Sequence, residues 1–65
     1  MRKDNASAYF RTDTGRHGYV PFETRAKTRK GIIRRAKECA SMQSLFELGE
    51  YFTPEQVEWI EVRMY

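Results

Sequence analysis

The residues in this chain able to do chemistry are few. His17 is the only histidine and Cys39 the only cysteine, so a zinc site of ordinary ligand count cannot be assembled from soft donors, and no metal is expected. The same scarcity leaves no Ser-His-Asp or Cys-His set that could activate a nucleophile. Carboxylates for acid and base work would have to come from Glu47, Glu50, Glu55, Glu58 and Glu61. Glu55, Glu58 and Glu61 recur every third residue, a spacing that drifts slowly round a helix and gives a solvated acidic ridge, or salt bridges, rather than a catalytic pair. Gly15-Arg16-His17-Gly18 is too short for a phosphate loop and lacks the context of strand, loop and helix that one requires, so it reads as a turn carrying a solvated His17. The expectation is a protein with no enzymatic activity and no cofactor.

Charge is what remains. At 3.6 residues per turn, Lys27, Lys30, Arg34 and Lys37 gather on one side of a helix. Ala26, Ile32, Ile33, Ala36, Cys39 and Ala40 fall within about 140° of the other side. One face can pack while the other meets something acidic. Arg29 and Arg35 flank the stripe, and Arg11 and Arg16 are supplied by a hairpin upstream, with Tyr9, Phe10 and Tyr19 near it for stacking. Phosphate-reaching cations on a rigid helix beside a hairpin are what a nucleic-acid surface requires. The expected binding residues are therefore Arg11, Arg16, Lys27, Lys30, Arg34 and Lys37. The plain alternative is a solvated cationic face.

The distribution of charge sharpens this. Residues 1–40 hold eleven Lys and Arg against four Asp and Glu, a net of +7, whereas residues 41–65 hold one against five, a net of −4. Such asymmetry fits a basic binding surface with an acidic part that packs, or attraction between the two halves within or between chains, so a homodimer is compatible with it. A chain of 65 residues supports one domain with one small core and no disulfide framework. A lone cysteine on an apolar helix face is a small buried hydrophobe in a reduced compartment. The polar start has no apolar segment of a signal peptide and no run is long enough to span a bilayer, so a cytoplasmic protein with no membrane association is expected. Met1 leading directly into a short polar tail reads as the start of a complete small protein.

The elements that must position these residues predict an α+β domain, residues 1–65, with residues 1–5 as a flexible tail. Aromatic and β-prone runs at 8–12 and 18–23, separated by turn residues from Asp13 to Gly18, predict an antiparallel hairpin in which Pro21 demands a sheet edge or a bulge. The basic amphipathic helix follows over about 25–40, with Thr24 preferred over Thr28 as its N-cap. Gly31 on its exposed side admits either tolerance of glycine or close approach of another backbone. A short helical or irregular segment over 42–49, which either prolongs the first helix or forms a short second one capped by Ser41 or Ser44, is closed by Gly49, and Leu45, Phe46 and Leu48 supply core mass. Thr53-Pro54-Glu55-Gln56 reads as a capping box and predicts a helix over 54–64. The alternative is a strand over 57–65, since Val57, Trp59, Ile60 and Val62 favour β structure, which gives a ββαβ order.

Two function classes follow. The first is a small basic protein that contacts DNA or RNA through the cationic helix face and hairpin. The alternative is a protein-binding regulator or inhibitor of a larger host protein, of the type that phages and mobile elements encode.

Overall fold

The computed structural model describes residues 4–65. The chain runs β1 (Asp4–Thr12), β2 (His17–Thr24), α1 (Arg29–Leu48), a single 3-10 turn (Pro54–Gln56) and β3 (Val57–Met64). The three strands form one antiparallel sheet in the order β2-β1-β3, with α1 on one face. This is an α+β fold, and its order is ββαβ. Of the expected tail, residues 1–3 lie outside the described residues. Asp4 and Asn5 already belong to β1, paired with Thr24 and Glu23.

The hairpin forms as its pattern predicts, with longer strands. Thr12 N–H donates to the Arg16 carbonyl (2.8 Å), Gly15 N–H donates to the Thr12 carbonyl (3.0 Å), and Gly15 takes the left-handed backbone, φ +84°, that the tight turn needs. His17 therefore lies in β2, opposite Arg11, rather than in the turn. Because Thr12 and Arg16 are a hydrogen-bonded pair, the even-numbered residues of β1 direct their backbone groups to β2 and the odd-numbered ones to β3. The bond from Tyr65 N–H to the Asn5 carbonyl (3.0 Å) follows the same alternation. Pro21, opposite Ser7, thus has its nitrogen on the outer edge of β2, where no ladder bond is lost.

The segment 54–64 is not a helix. Thr53 N–H donates to Gln56 Oε1 (3.0 Å) and Gln56 N–H to the Thr53 carbonyl (3.0 Å), so the capping residues close one turn and no more. The following backbone is extended because the hairpin needs a third strand to be stable and β1 offers it an open edge. Val57, Ile60 and Val62 then face the core, as the strand alternative requires. A register shift at Arg11 and Thr12 leaves Glu58 as a bulge.

The helix begins later and ends later than its charge pattern suggests. Thr24 is held in β2, and its hydroxyl accepts from Ala26 N–H (3.0 Å), which ends the strand. Thr28 is the N-cap, accepting from Gly31 N–H (3.1 Å). The room left by Gly31 serves this cap: a Cβ there would stand 3.1 Å from Thr28 Oγ1 and 3.2 Å from the Ala26 methyl. Residues 42–48 continue the same helix until Gly49, in the left-handed conformation, stops it.

The core joins Ala6, Ala8, Phe10, Val20 and Phe22 of the sheet to Ala36 and Ala40 of α1 and to Val57, with Ile32, Cys39, Leu48, Ile60 and Val62 at its margin. Small residues on both facing surfaces let helix and sheet approach while Phe10 fills the centre. Leu45 and Phe46 do not contribute, being 56% and 82% exposed. Their place is taken by Phe52, which the helix grips by its backbone. Ser41 Oγ donates to the Phe52 carbonyl (2.7 Å) and Phe52 N–H donates to Ser44 Oγ (2.9 Å), both inside the core.

Candidate nucleic-acid interface

The β2–α1 connection and the first half of α1 hold most of the positive charge. Arg25, Lys27, Arg29, Lys30, Arg34 and Arg35 are exposed, and Lys37 is half-buried. Lys30, Arg34 and Lys37, at i, i+4 and i+7, rise in one row along the helix. They line a shallow groove with Ile33 and Glu38, whose far side is Pro54 and Glu55. Arg34 pairs with Glu38 (3.6 Å), and Arg35 Nε donates to the Glu23 carbonyl (3.3 Å), tying the helix to β2. Among the described residues, no ion pair engages Arg25, Lys27, Arg29, Lys30 or Lys37.

This placement opposes helix stability. The first turn of α1 contains no acidic residue, although the helix dipole favours one there by about 0.3–1 kcal/mol. Arg29 and Lys30 instead add to the positive end of the dipole. An anion laid along Lys27, Lys30, Arg34 and Lys37 would relieve both the dipole and the mutual repulsion of the cations.

Arg11 and Arg16 do not join that surface. Arg11 lies on the sheet face opposite α1, pairing with the bulged Glu58 (3.8 Å). Arg16, at the hairpin tip, donates from Nη2 to the Leu48 carbonyl (2.7 Å). It caps the C-terminal end of α1, where a cation complements the dipole. Lys30 stands at the far end of the same helix. The residue that the charge pattern did not single out is Arg25, and its signal was adjacency to Lys27 across the strand end.

The face of the sheet away from α1 is aromatic. Tyr9, Tyr19, Trp59 and Tyr65 are exposed on it, with Arg11, His17 and Arg63 among them. Tyr9 and Tyr19 form a cross-strand pair with ring centroids 4.9 Å apart. Phe10, one position on, is instead 1% exposed in the core. Glu58 lies beside Arg11, and Glu61 beside Arg63 (3.9 Å). The Tyr65 hydroxyl meets Ser7 Oγ (2.8 Å). Hydrogen bonding to Ser7 and then Tyr19, with the charge of Arg63, lowers the Tyr65 phenol below its ordinary range.

Burial raises the Cys39 thiol, opposed by Arg35 and aided by Glu38, so this sulfur is held as a neutral thiol. Among the described residues, no three His, Cys, Asp or Glu side chains gather closely enough to hold a metal ion, and no helix is long and apolar enough to cross a membrane. Comparison with protein-family models, with characterised proteins and with solved structures finds no match.

Proposed function

We propose that this protein is a non-enzymatic, cytoplasmic nucleic-acid-binding protein that lays the phosphodiester backbone of DNA or RNA along Lys27, Lys30, Arg34 and Lys37, with Arg25 and Arg29 at the end of the row. The observation that carries this is the concentration of exposed cations in the connection and helix start, where the dipole disfavours them and acidic partners are few. The hairpin residues Arg11 and Arg16 fall outside the contact. With about five phosphates neutralised, affinity for duplex falls roughly 10²- to 10³-fold between about 50 and 200 mM salt. Titrating labelled duplex and single-stranded oligonucleotides at two salt concentrations tests this. Lys30→Glu with Arg34→Glu abolishes binding and flattens the salt slope, whereas Arg11→Glu leaves the slope unchanged. Absence of binding to either nucleic acid at low salt, or indifference to the helix reversals, defeats the proposal.

One observation favours a protein partner instead. Met42, Leu45 and Phe46, at i, i+3 and i+4 of α1, are all exposed, as is Tyr51, whose hydroxyl meets Ser41 of the same helix (3.5 Å). This apolar patch on the second half of the helix fits a protein-binding regulator. A stoichiometric partner that survives nuclease treatment and is lost in Phe46→Glu would select that function over the first.

A further inference from the structure

The two edges of the sheet are unlike. β2 is interrupted by Pro21, whereas β3 offers eight residues with neither proline nor lysine, and its one bulge sits at its start. Edge strands without such protection are templates for another strand. Tyr65 bonds to Asn5 of β1, so Tyr65, Arg63, Glu61 and Trp59 direct their backbone groups inward. Ile60, Val62 and Met64 direct theirs to the open edge. Among the described residues, no backbone bond joins that edge to another element. Beside it, Ile60, Val62 and Met64 with Ile32 and Ile33 of α1 line an open groove of about 600 Å³, which Arg29, Trp59 and Glu61 also line.

We infer that this edge pairs with the same edge of a second copy, β3 against β3, in an antiparallel register centred on Val62. That register is selected by its chemistry. It sets Val62 opposite Val62 and Ile60 opposite Met64, both positions with outward backbone groups, for about six inter-chain hydrogen bonds. On the aromatic face it sets each Glu61 opposite the other copy's Arg63, and each Trp59 opposite Tyr65. Sliding to a centre at Glu61 sets like charges face to face and loses a hydrogen-bonded pair. A centre at Ile60 runs into the bulge at Glu58. The two-fold axis stands perpendicular to the sheet, so the sheet becomes six-stranded and both copies of α1 lie on one face. The groove becomes a shared, mainly aliphatic seam between the helices, which Arg29 of each copy also lines. The assembly holds whatever the helices bind.

Sedimentation equilibrium of the full chain over about 1–500 μM tests this. The expected mass rises with concentration toward twice 7.8 kDa. Glu61→Arg and Arg63→Glu each act twice across the axis and weaken association about tenfold, and the double reversal restores it. In the unaltered chain, hydrogen exchange of the Ile60, Val62 and Met64 amides slows as concentration rises, while the outer-edge Tyr19 and Glu23 amides of β2 exchange at a constant rate. A single-chain mass throughout, exchange at Val62 independent of concentration, or a double reversal no better than either single one overturns the inference.

Discussion

Replacing Gly18 by alanine tests the packing on which the whole sheet depends. Gly18 lies opposite Phe10 in the hairpin ladder, and its missing side chain is the space the Phe10 ring occupies. A Cβ at Gly18 would stand 2.4 Å from Phe10 Cζ, 2.7 Å from Cε1 and 3.0 Å from Cε2. Ordinary contact needs about 3.5–4.0 Å, so the ring must move by roughly an ångström. Phe10 is 1% exposed, so its ring moves only by displacing its neighbours in a close-packed core. Overpacking of this kind costs about 1–3 kcal/mol, and the smaller unfolded-state entropy of alanine returns about 0.4–1 kcal/mol. A net loss of about 1–2 kcal/mol is large against the roughly 3–10 kcal/mol that a chain of this size holds. The urea midpoint falls accordingly, and the melting temperature drops by about 4–16 °C. In a Phe10→Leu background the clash disappears, and the same substitution becomes nearly neutral. Gly15→Ala costs about 1 kcal/mol in either background, because its strain is in the φ of +84° and no atom lies within 4 Å of its Cβ position. A Gly18→Ala variant as stable as the parent, or one equally costly with and without the Phe10 ring, refutes this account of the core.

Ser44→Ala removes the acceptor of the buried Phe52 N–H and costs about 1–3 kcal/mol by urea unfolding, without altering nucleic-acid affinity at matched folded fraction. Cys39 has its folded pKa above the reference 9.0 through burial, so the folded state binds more protons than the unfolded one as pH rises through that range. Its stabilising contribution is present below about pH 9 and is lost above it, and the difference in urea midpoint between the parent and Cys39→Ala narrows over that window. Lys30→Glu moves two observables in opposite directions: an acid in the first turn, four residues before Arg34, raises stability by about 0.5–1.5 kcal/mol while nucleic-acid binding falls.

The hairpin was legible because its signals are local: turn residues between β-prone runs, and a proline that only an edge admits. The helix was legible in its middle and at its Gly49 stop, and misread at its start. Thr24 and Thr28 look equivalent in sequence, and only the pairing of Thr24 with Asp4 in the sheet removes it as a cap. Ser41 and Ser44 resemble solvated helix residues, yet they hold Phe52, and no local pattern marks serines that serve a distant backbone. Hydrophobicity alone assigns Leu45 and Phe46 to the core, yet this turn of the helix packs through Ser41, Ser44 and Leu48, which leaves Leu45 and Phe46 on its outer side. For the C-terminal segment the capping box and the β-prone residues pointed in opposite directions. A tertiary requirement, the third strand, decided between them. Of the candidate site, the row on one helix was legible from period and charge. That Arg11 and Arg16 lie elsewhere depends on which sheet face the helix covers.

That choice of strand over helix also sets the electrostatics of the basic face. As a helix packed beside α1, residues 54–64 would have brought a ridge of Glu55, Glu58 and Glu61 within reach of Lys30, Arg34 and Lys37, and the chain's own acidic half would have neutralised its cations. As a strand, the segment separates them. Glu58 and Glu61 pair with Arg11 and Arg63, Glu61 also lining the edge groove with Arg29, and Glu38 and Glu55 line the groove beside the row. Charges more than about 8–10 Å apart in solvent are largely screened at physiological salt, so Glu58, held by Arg11, competes little for Lys30, Arg34 and Lys37. The sheet that completes the core is thus also what leaves the basic face available, and a binding partner with its own phosphates meets little internal competition there.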